Sequence, residues 1–313
     1  MQTLPWPFRA AEVLAADALT FRQLRRFHEA IYPGVWLPRG VDLTAVDRAR
    51  AAWLWSGRKG VLAGLSASAL LGSKWIEPEL PAELVHSNRR PPALITVRSD
   101  RLFPGESQSV LGLPVTTPAR TAFDLGRRLA FVPAVQRLDA LMRATDFKVD
   151  DVHAVITRHS GVRGLDQLRR VLEIVDGGSE SPYESLTRIV LLRNGFPRPE
   201  TQIRVCDENG FVVARLDMGW PQWRVGVDFD GAHHWTDPKQ RSNDVERYAM
   251  LPELGWIDVR LTSSMLHNRP HAFLDRVGRA LESRGCRGRG ECASSYATDG
   301  GSRTKPHTRR SGE

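Results

Sequence analysis

The chain of 313 residues is 41% hydrophobic and 26% charged, the make-up of an ordinary globular protein with room for two modest cores. Its three cysteines form no CxxC pair and no run approaches roughly 18 apolar residues, which argues against a disulfide framework, a zinc site, secretion or a membrane span and suits a reducing cytoplasm. The net charge of +8 permits nucleic acid as a partner without demanding it, because residues 283–313, with seven Lys/Arg against three Asp/Glu, supply half of that excess.

Taken in chain order, FRAAEVLAADALTFRQLRRF reads as two short helices, with Thr20 placed to cap the second. IYPGVWLPRGV follows as turn and strand, then an Ala-rich helical stretch, DLTAVDRARAAWLWSGRKGVLAGLSASALLG. AELVHS, ALITVRS and SVLGLPVTT read as short strands separated by Pro and Gly. TTPARTAFDLGRRL begins a helix with Thr117 as cap and Pro118 in the first helical position. Further helices run to Gly177-Gly178, a plausible boundary, and no internal repeat is present.

Beyond that boundary SPYESLTRIVLLRNG is a helix, and TQIRVCD and FVVARLDMGW are strands joined through Glu208-Asn209-Gly210, a strong hairpin signal. WRVGVDFDG is a third strand, a helix opens at Asp237-Pro238, WIDVRLT is a fourth strand, and a helix closes the zone. The fold class expected is therefore α/β (α+β), with a small mixed sheet flanked by helices at the end.

VGVDFDGAHHW is the least ordinary run in the chain, since Asp228 and Asp230 share one face of an apolar strand. If the preceding strand pairs with it in antiparallel fashion, Asp217 converges on Asp228. Convergent carboxylates suit Mg²⁺ or Mn²⁺, an ion that can activate water and stabilise charge on a phosphate. Plainer readings stand beside this one. Ser181-Pro-Tyr-Glu184 fits a capping box, Asp217 alone suits a solvated strand end, and Asp244 with Arg247 fits an exposed helix pair. His233 reads as a surface neighbour, and Trp220, Trp223, Trp235 and Trp256 read as packing residues.

An acid at 217, another at 228 and a polar residue at 230, on successive strands behind a helix bearing Glu184, resemble the core of PD-(D/E)XK nucleases. Asp230-Gly-x-x-His234 and Asp244-x-x-Arg247 resemble the branch related to very-short-patch repair (Vsr) endonucleases. SPYES, LDMGW, DGAHHW and LGW are similar to actinobacterial proteins of unknown function with that domain. The resemblance implies that Asp217 is the central metal ligand and Asp228, where the family more often has Glu, the second. It implies that Glu184 approaches from the helix and that Asp230 stands where such nucleases carry a lysine. His234 then assists as base or proton shuttle, with Asp244 and Arg247 orienting the site.

Residues 8–40 resemble the winged-helix start of AbiEi-like antitoxins of type IV toxin–antitoxin systems, which implies DNA contact through Arg22, Arg25 and Arg26 and a toxin partner. Only about ten residues separate Thr20 from Ile31, little room for both a support helix and a recognition helix. A solvated helix face explains the same arginines.

The expected organisation is a winged-helix-like region over 1–40, a mixed α/β region over 41–178, a Vsr-like, restriction-endonuclease-like domain over 179–282, and a disordered basic tail over 283–313. The expected function is a cytoplasmic, Mg²⁺- or Mn²⁺-dependent DNA endonuclease. The alternatives are a noncatalytic DNA-binding regulator or antitoxin on a nuclease-like scaffold, and a protein-interaction module.

Overall fold

The computed structural model describes residues 4–88, 90–230 and 250–286. The fold is mixed α+β, and the chain divides into two compact units between Leu186 and Thr187. His234, Asp244, Arg247, the helix opening at Asp237 and most of the basic tail lie outside the described residues.

The first unit opens with β1 (Phe8–Arg9), α1 (Ala10–Ala15), α2 (Phe21–Phe27) and a hairpin of β2 (His28–Tyr32) and β3 (Val35–Pro38), in the sheet order β1-β3-β2. Phe8, Val13 and Leu24 form its small core, joined by Trp6, Leu14 and Trp36. Thr20 caps α2 as expected: its hydroxyl accepts the Gln23 N–H while the Gln23 side chain accepts the Thr20 N–H. The short interval after Thr20 holds one helix as expected, α2 alone between the cap and the hairpin, with α1 wholly before it.

Next comes α3 (Ala45–Trp55), capped by Thr44, whose Ala49, Ala51 and Ala52 are fully buried. Methyl-sized side chains let α3 and α4 (Gly64–Leu70) press close to a five-stranded sheet. That sheet comprises β4 (Val61–Leu62), β5 (Ala82–Val85), β6 (Ile95–Arg98), β7 (Ser107–Val110) and β8 (Leu113–Thr116), ordered β6-β5-β4-β8-β7. SVLGLPVTT is thus a hairpin and not one strand. Leu111 and Gly112 both take positive φ, 50° and 75°, and turn the chain between β7 and β8. Four helices follow: α5 (Pro118–Arg128), α6 (Phe131–Ala144), α7 (Val149–Arg158) and α8 (Leu165–Ile174). Thr117 caps α5 and Pro118 opens it, as the sequence predicts. The next helix, α9 (Pro182–Arg193), runs across the division between the units.

The second unit holds β9 (Glu200–Cys206), β10 (Val212–Trp220), β11 (Val225–Asp230) and β12 (Ile257–Thr262), followed by α10 (Ser263–Asn268) and α11 (Pro270–Ser283). The sheet order is β12-β11-β10-β9, antiparallel except for the parallel β11–β12 pair. The β9–β10 turn forms where expected, with Gly210 at φ 82° and Asp207 Oδ1 accepting the N–H groups of Asn209 and Phe211. Ile203, Val205, Ala214, Leu216 and Leu251 pack one core cluster, with Trp256 against it. Trp220 is buried and donates its indole N–H to the Pro197 carbonyl, a packing residue as expected.

Candidate functional site

α2 buries only Leu24 and turns the rest of its surface outward. Arg22, Arg25 and Arg26 are exposed, and none forms an ion pair among the described residues. Phe21 and Phe27 are 60% and 45% exposed, with Arg25 over the Phe21 ring at 5.8 Å and Arg26 over the Phe27 ring at 5.2 Å. Planar cations stacked on aromatic rings are held extended and lose less freedom on meeting a phosphate. Arg39, just past the hairpin, donates to the Arg25 carbonyl and pairs with Glu29, which ties the helix end to the hairpin. Arg58 and Arg9 pair with Glu12 of α1, and the Arg58 hydrogen bond leads the effects that hold the Glu12 carboxyl below its ordinary range.

In the second unit the register runs Met218↔Val227 and stops there. One step on, side chains take over the pairing: the Asp217 N–H donates to Asp228 Oδ1 at 2.8 Å, and the Phe229 N–H donates to Asp217 Oδ2 at 2.8 Å. The two acids therefore meet across β10 and β11, each steadied by an amide of the opposing strand. Asp228 is only 4% exposed. Gly226 helps to make this possible, because a Cβ there would lie 2.6 Å from Leu216 Cδ1. Among the described residues Asp230 forms no hydrogen bond with the pair; its carboxylate lies 3.5 Å from the Arg260 guanidinium on β12.

Glu184 belongs to the first unit and its expected capping box forms only in part: the Ser181 hydroxyl accepts the Glu184 N–H, while Glu184 Oε2 accepts the Glu180 N–H at 2.8 Å, one residue before the cap. Burial pushes its carboxyl up from the ordinary range. Among the described residues no group of three or more His, Cys, Asp or Glu side chains is arranged to hold a metal. Asp217 and Asp228 suit a hard divalent cation in kind, yet supply only two of the several oxygens it takes.

A buried ionic cluster in the first unit escaped the reading of the sequence. Arg120 of α5 donates to Asp124 Oδ2 at 2.9 Å, Glu106 Oε2 at 2.6 Å and the Arg101 carbonyl at 2.9 Å. His159 Nε2 lies 2.9 Å from Glu106 Oε1, and Arg127 and Arg128 bridge Asp124 to Asp100. The signal was present as Arg120 and Asp124, four apart among the apolar residues of TTPARTAFDLGRRL, a spacing that places both on one helix face. Every charge there has a partner, so the cluster fastens α5 to α7 and the β7 approach rather than offering a reactive group.

Comparison with known proteins bears on this same unit. Residues 59–174 match the AbiEi antitoxin C-terminal domain. The AbiEi-matching region thus covers the β4–β8 sheet and α5 to α8, including the whole Arg120 cluster. The match lies downstream of residues 8–40, the segment in which the sequence places the resemblance. The leucine spacing and Pro-Gly turn there suit any helix pair with a hairpin, whereas the matched stretch is the region read above only as mixed α/β.

Two uncharacterised proteins of Mycobacterium tuberculosis, from strains CDC 1551 and H37Rv, are each 30% identical to this chain over 175 residues. The alignment covers 56% of this chain and 64% of theirs. No solved structure matches the chain. Among the described residues no helix is long and apolar enough to cross a membrane.

Proposed function

We propose that the chain is a DNA-binding, antitoxin-like regulator that acts in the cytoplasm and has a toxin as its counterpart. The observation that carries this reading is the AbiEi-matching region at 59–174. Support comes from what precedes it, a helix pair and hairpin whose second helix presents Arg22, Arg25 and Arg26 with no carboxylate paired to them among the described residues. Those arginines hold the phosphate backbone, while Phe21 and Phe27 present apolar and aromatic surface to the duplex. Fluorescence anisotropy with the DNA upstream of the chain's own coding sequence tests the reading. Binding that survives chelator, weakens with salt and falls sharply in Arg22→Gln/Arg25→Gln/Arg26→Gln supports it, and absence of binding at low salt sinks it.

The meeting of Asp217 and Asp228 favours a second reading, a metal-dependent endonuclease. Those two carboxylates would hold Mg²⁺ or Mn²⁺, and the bound ion would supply charge stabilisation at a phosphate and an activated water. Asp230, drawn toward Arg260, would then shape the site and not contact the water. Cleavage of duplex DNA in Mg²⁺ or Mn²⁺ that disappears in Asp217→Ala/Asp228→Ala supports this reading, and cleavage unaffected by that pair removes the site from consideration.

A further inference from the structure

In the second unit, β12 is the outer strand of its sheet, and its residues Ile257, Asp258, Val259 and Arg260 line a cleft with Arg276 and Arg279 of α11. The cleft encloses about 480 Å³. Helical periodicity explains how α11 serves two masters: Phe273, Val277, Ala280 and Leu281 are buried, while Arg276 and Arg279, one turn apart, are exposed on the other side. Arg276 and Arg279 thus share the cleft with the Asp258 carboxylate and with Arg260, which is paired with Asp230.

Some exposed arginines of the chain are matched, as in Arg9–Glu12, Arg58–Glu12, Arg143–Glu180 and Arg169–Asp166. Arg276 and Arg279, like Arg22, Arg25 and Arg26 of α2, are not. Neither has a carboxylate partner among the described residues, and Arg276 Nη1 meets only the weak acceptor Met265 Sδ at 4.0 Å. Two like charges, Arg276 and Arg279, on one concave surface raise the local positive potential. The chain after α11 carries further positive charge, a net of +4 over residues 283–313. A field that continues along the sequence suits a long polyanion with a charge at every repeat better than a short acidic peptide. Guanidinium forks also match phosphate oxygens two at a time.

We propose that Arg276 and Arg279 hold the phosphate backbone of a nucleic acid, a second contact that rests on the DNA-binding reading of α2 and adds to it. Parallel register places Arg260 beside Asp228, so a strand lying in the cleft runs next to the acid pair.

The test uses the full chain, a fluorescently labelled duplex of mixed sequence, and anisotropy across a salt series. Arg276→Gln/Arg279→Gln removes two exposed charges, and an unchanged urea midpoint confirms that the variant folds. The expected result is weaker binding with a slope of log affinity against log salt shallower by about 2, one for each lost phosphate contact. Unchanged affinity and slope in this variant, with binding lost in Arg22→Gln/Arg25→Gln/Arg26→Gln, overturns the cleft assignment and leaves the α2 reading standing. Failure of the unmodified chain to bind at the lowest salt overturns both. Polyglutamate that binds as tightly as the duplex, with the same loss in Arg276→Gln/Arg279→Gln, also overturns the nucleic-acid assignment.

Discussion

Arg120 and Glu106 form an ion pair that solvent does not reach: Nη1 lies 2.6 Å from Oε2 and neither residue has measurable exposure. Truncating one member of such a pair strands the other charge in a low-dielectric interior, at a cost of about 3–5 kcal/mol. Arg120→Ala is therefore expected to lose stability on that scale. Arg128→Ala, whose side chain is 18% exposed and whose carboxylates keep Arg127, loses distinctly less. Urea titration of both variants decides the matter. Equal losses would show that burial of the Arg120 pair gives it no special role.

The same cluster sets a pH dependence. Burial alone would raise the Glu106 carboxyl, but the Phe103 N–H, Arg120 and His159 outweigh it and hold the group below its ordinary value of 4.5. At Asp100 burial is likewise outweighed, by Arg128 and Arg127. A depressed folded value means that the stabilisation is complete above the ordinary carboxylate range and drains away as pH falls through the depressed one. Glu184 has the opposite sign: burial raises its carboxyl, so its contribution declines as pH climbs from 4.5 toward the folded value. Unfolding midpoints from about pH 3 to about pH 7 should show an acid-side fall that Glu106→Gln flattens. Glu184→Gln should keep that fall and remove the decline above it. Parallel acid limbs in unmodified chain and Glu106→Gln would exclude Glu106 as the source.

Local signals in the sequence proved legible. Thr20, Thr117 with Pro118, and the Ser181 hydroxyl all form the caps their spacing predicts, because a cap is decided within four residues, while Glu184 reaches one residue past the cap to Glu180. The Glu208-Asn209-Gly210 turn follows for the same reason. The Leu111-Gly112 turn did not, since an exposed leucine at positive φ imitates a strand residue. Long-range pairings were harder still. Glu106 and His159 lie 53 residues apart, and nothing near either names the other. Asp217 and Asp228 fall between these cases: their meeting required one assumption, antiparallel pairing of adjacent strands, and the register supplies it.

Thr20 links fold and proposed function at α2. Its hydroxyl accepts the Gln23 N–H and its own N–H is taken by the Gln23 side chain, so Thr20→Ala should cost about 1 kcal/mol. A frayed first turn misplaces Arg22 while leaving every charge on the helix. Thr20→Ala should therefore weaken DNA binding without altering its salt slope, whereas loss of the arginines alters both. Thr20→Asp, which restores a cap acceptor, should recover most of the stability. A salt slope that drops in Thr20→Ala would mean that the cap itself contributes a phosphate contact.

The acid pair on β10 and β11 can be examined without any assay of cleavage. Each carboxylate already accepts one amide of the opposing strand, so Asp217→Asn/Asp228→Asn keeps an acceptor oxygen at both places and should fold. Asp228→Ala instead removes the acceptor for a part-buried N–H and should cost about 1–3 kcal/mol. If the two carboxylates hold a divalent cation, Mn²⁺ at about a hundred times its dissociation constant stabilises the folded unmodified chain by about 2.7 kcal/mol. The doubly substituted Asn variant should show none of that gain. Urea midpoints with and without Mn²⁺ measure both. A gain of equal size in the Asn variant places the ion elsewhere, and no gain in either leaves the acids as a strand-to-strand clasp with the DNA-binding reading untouched.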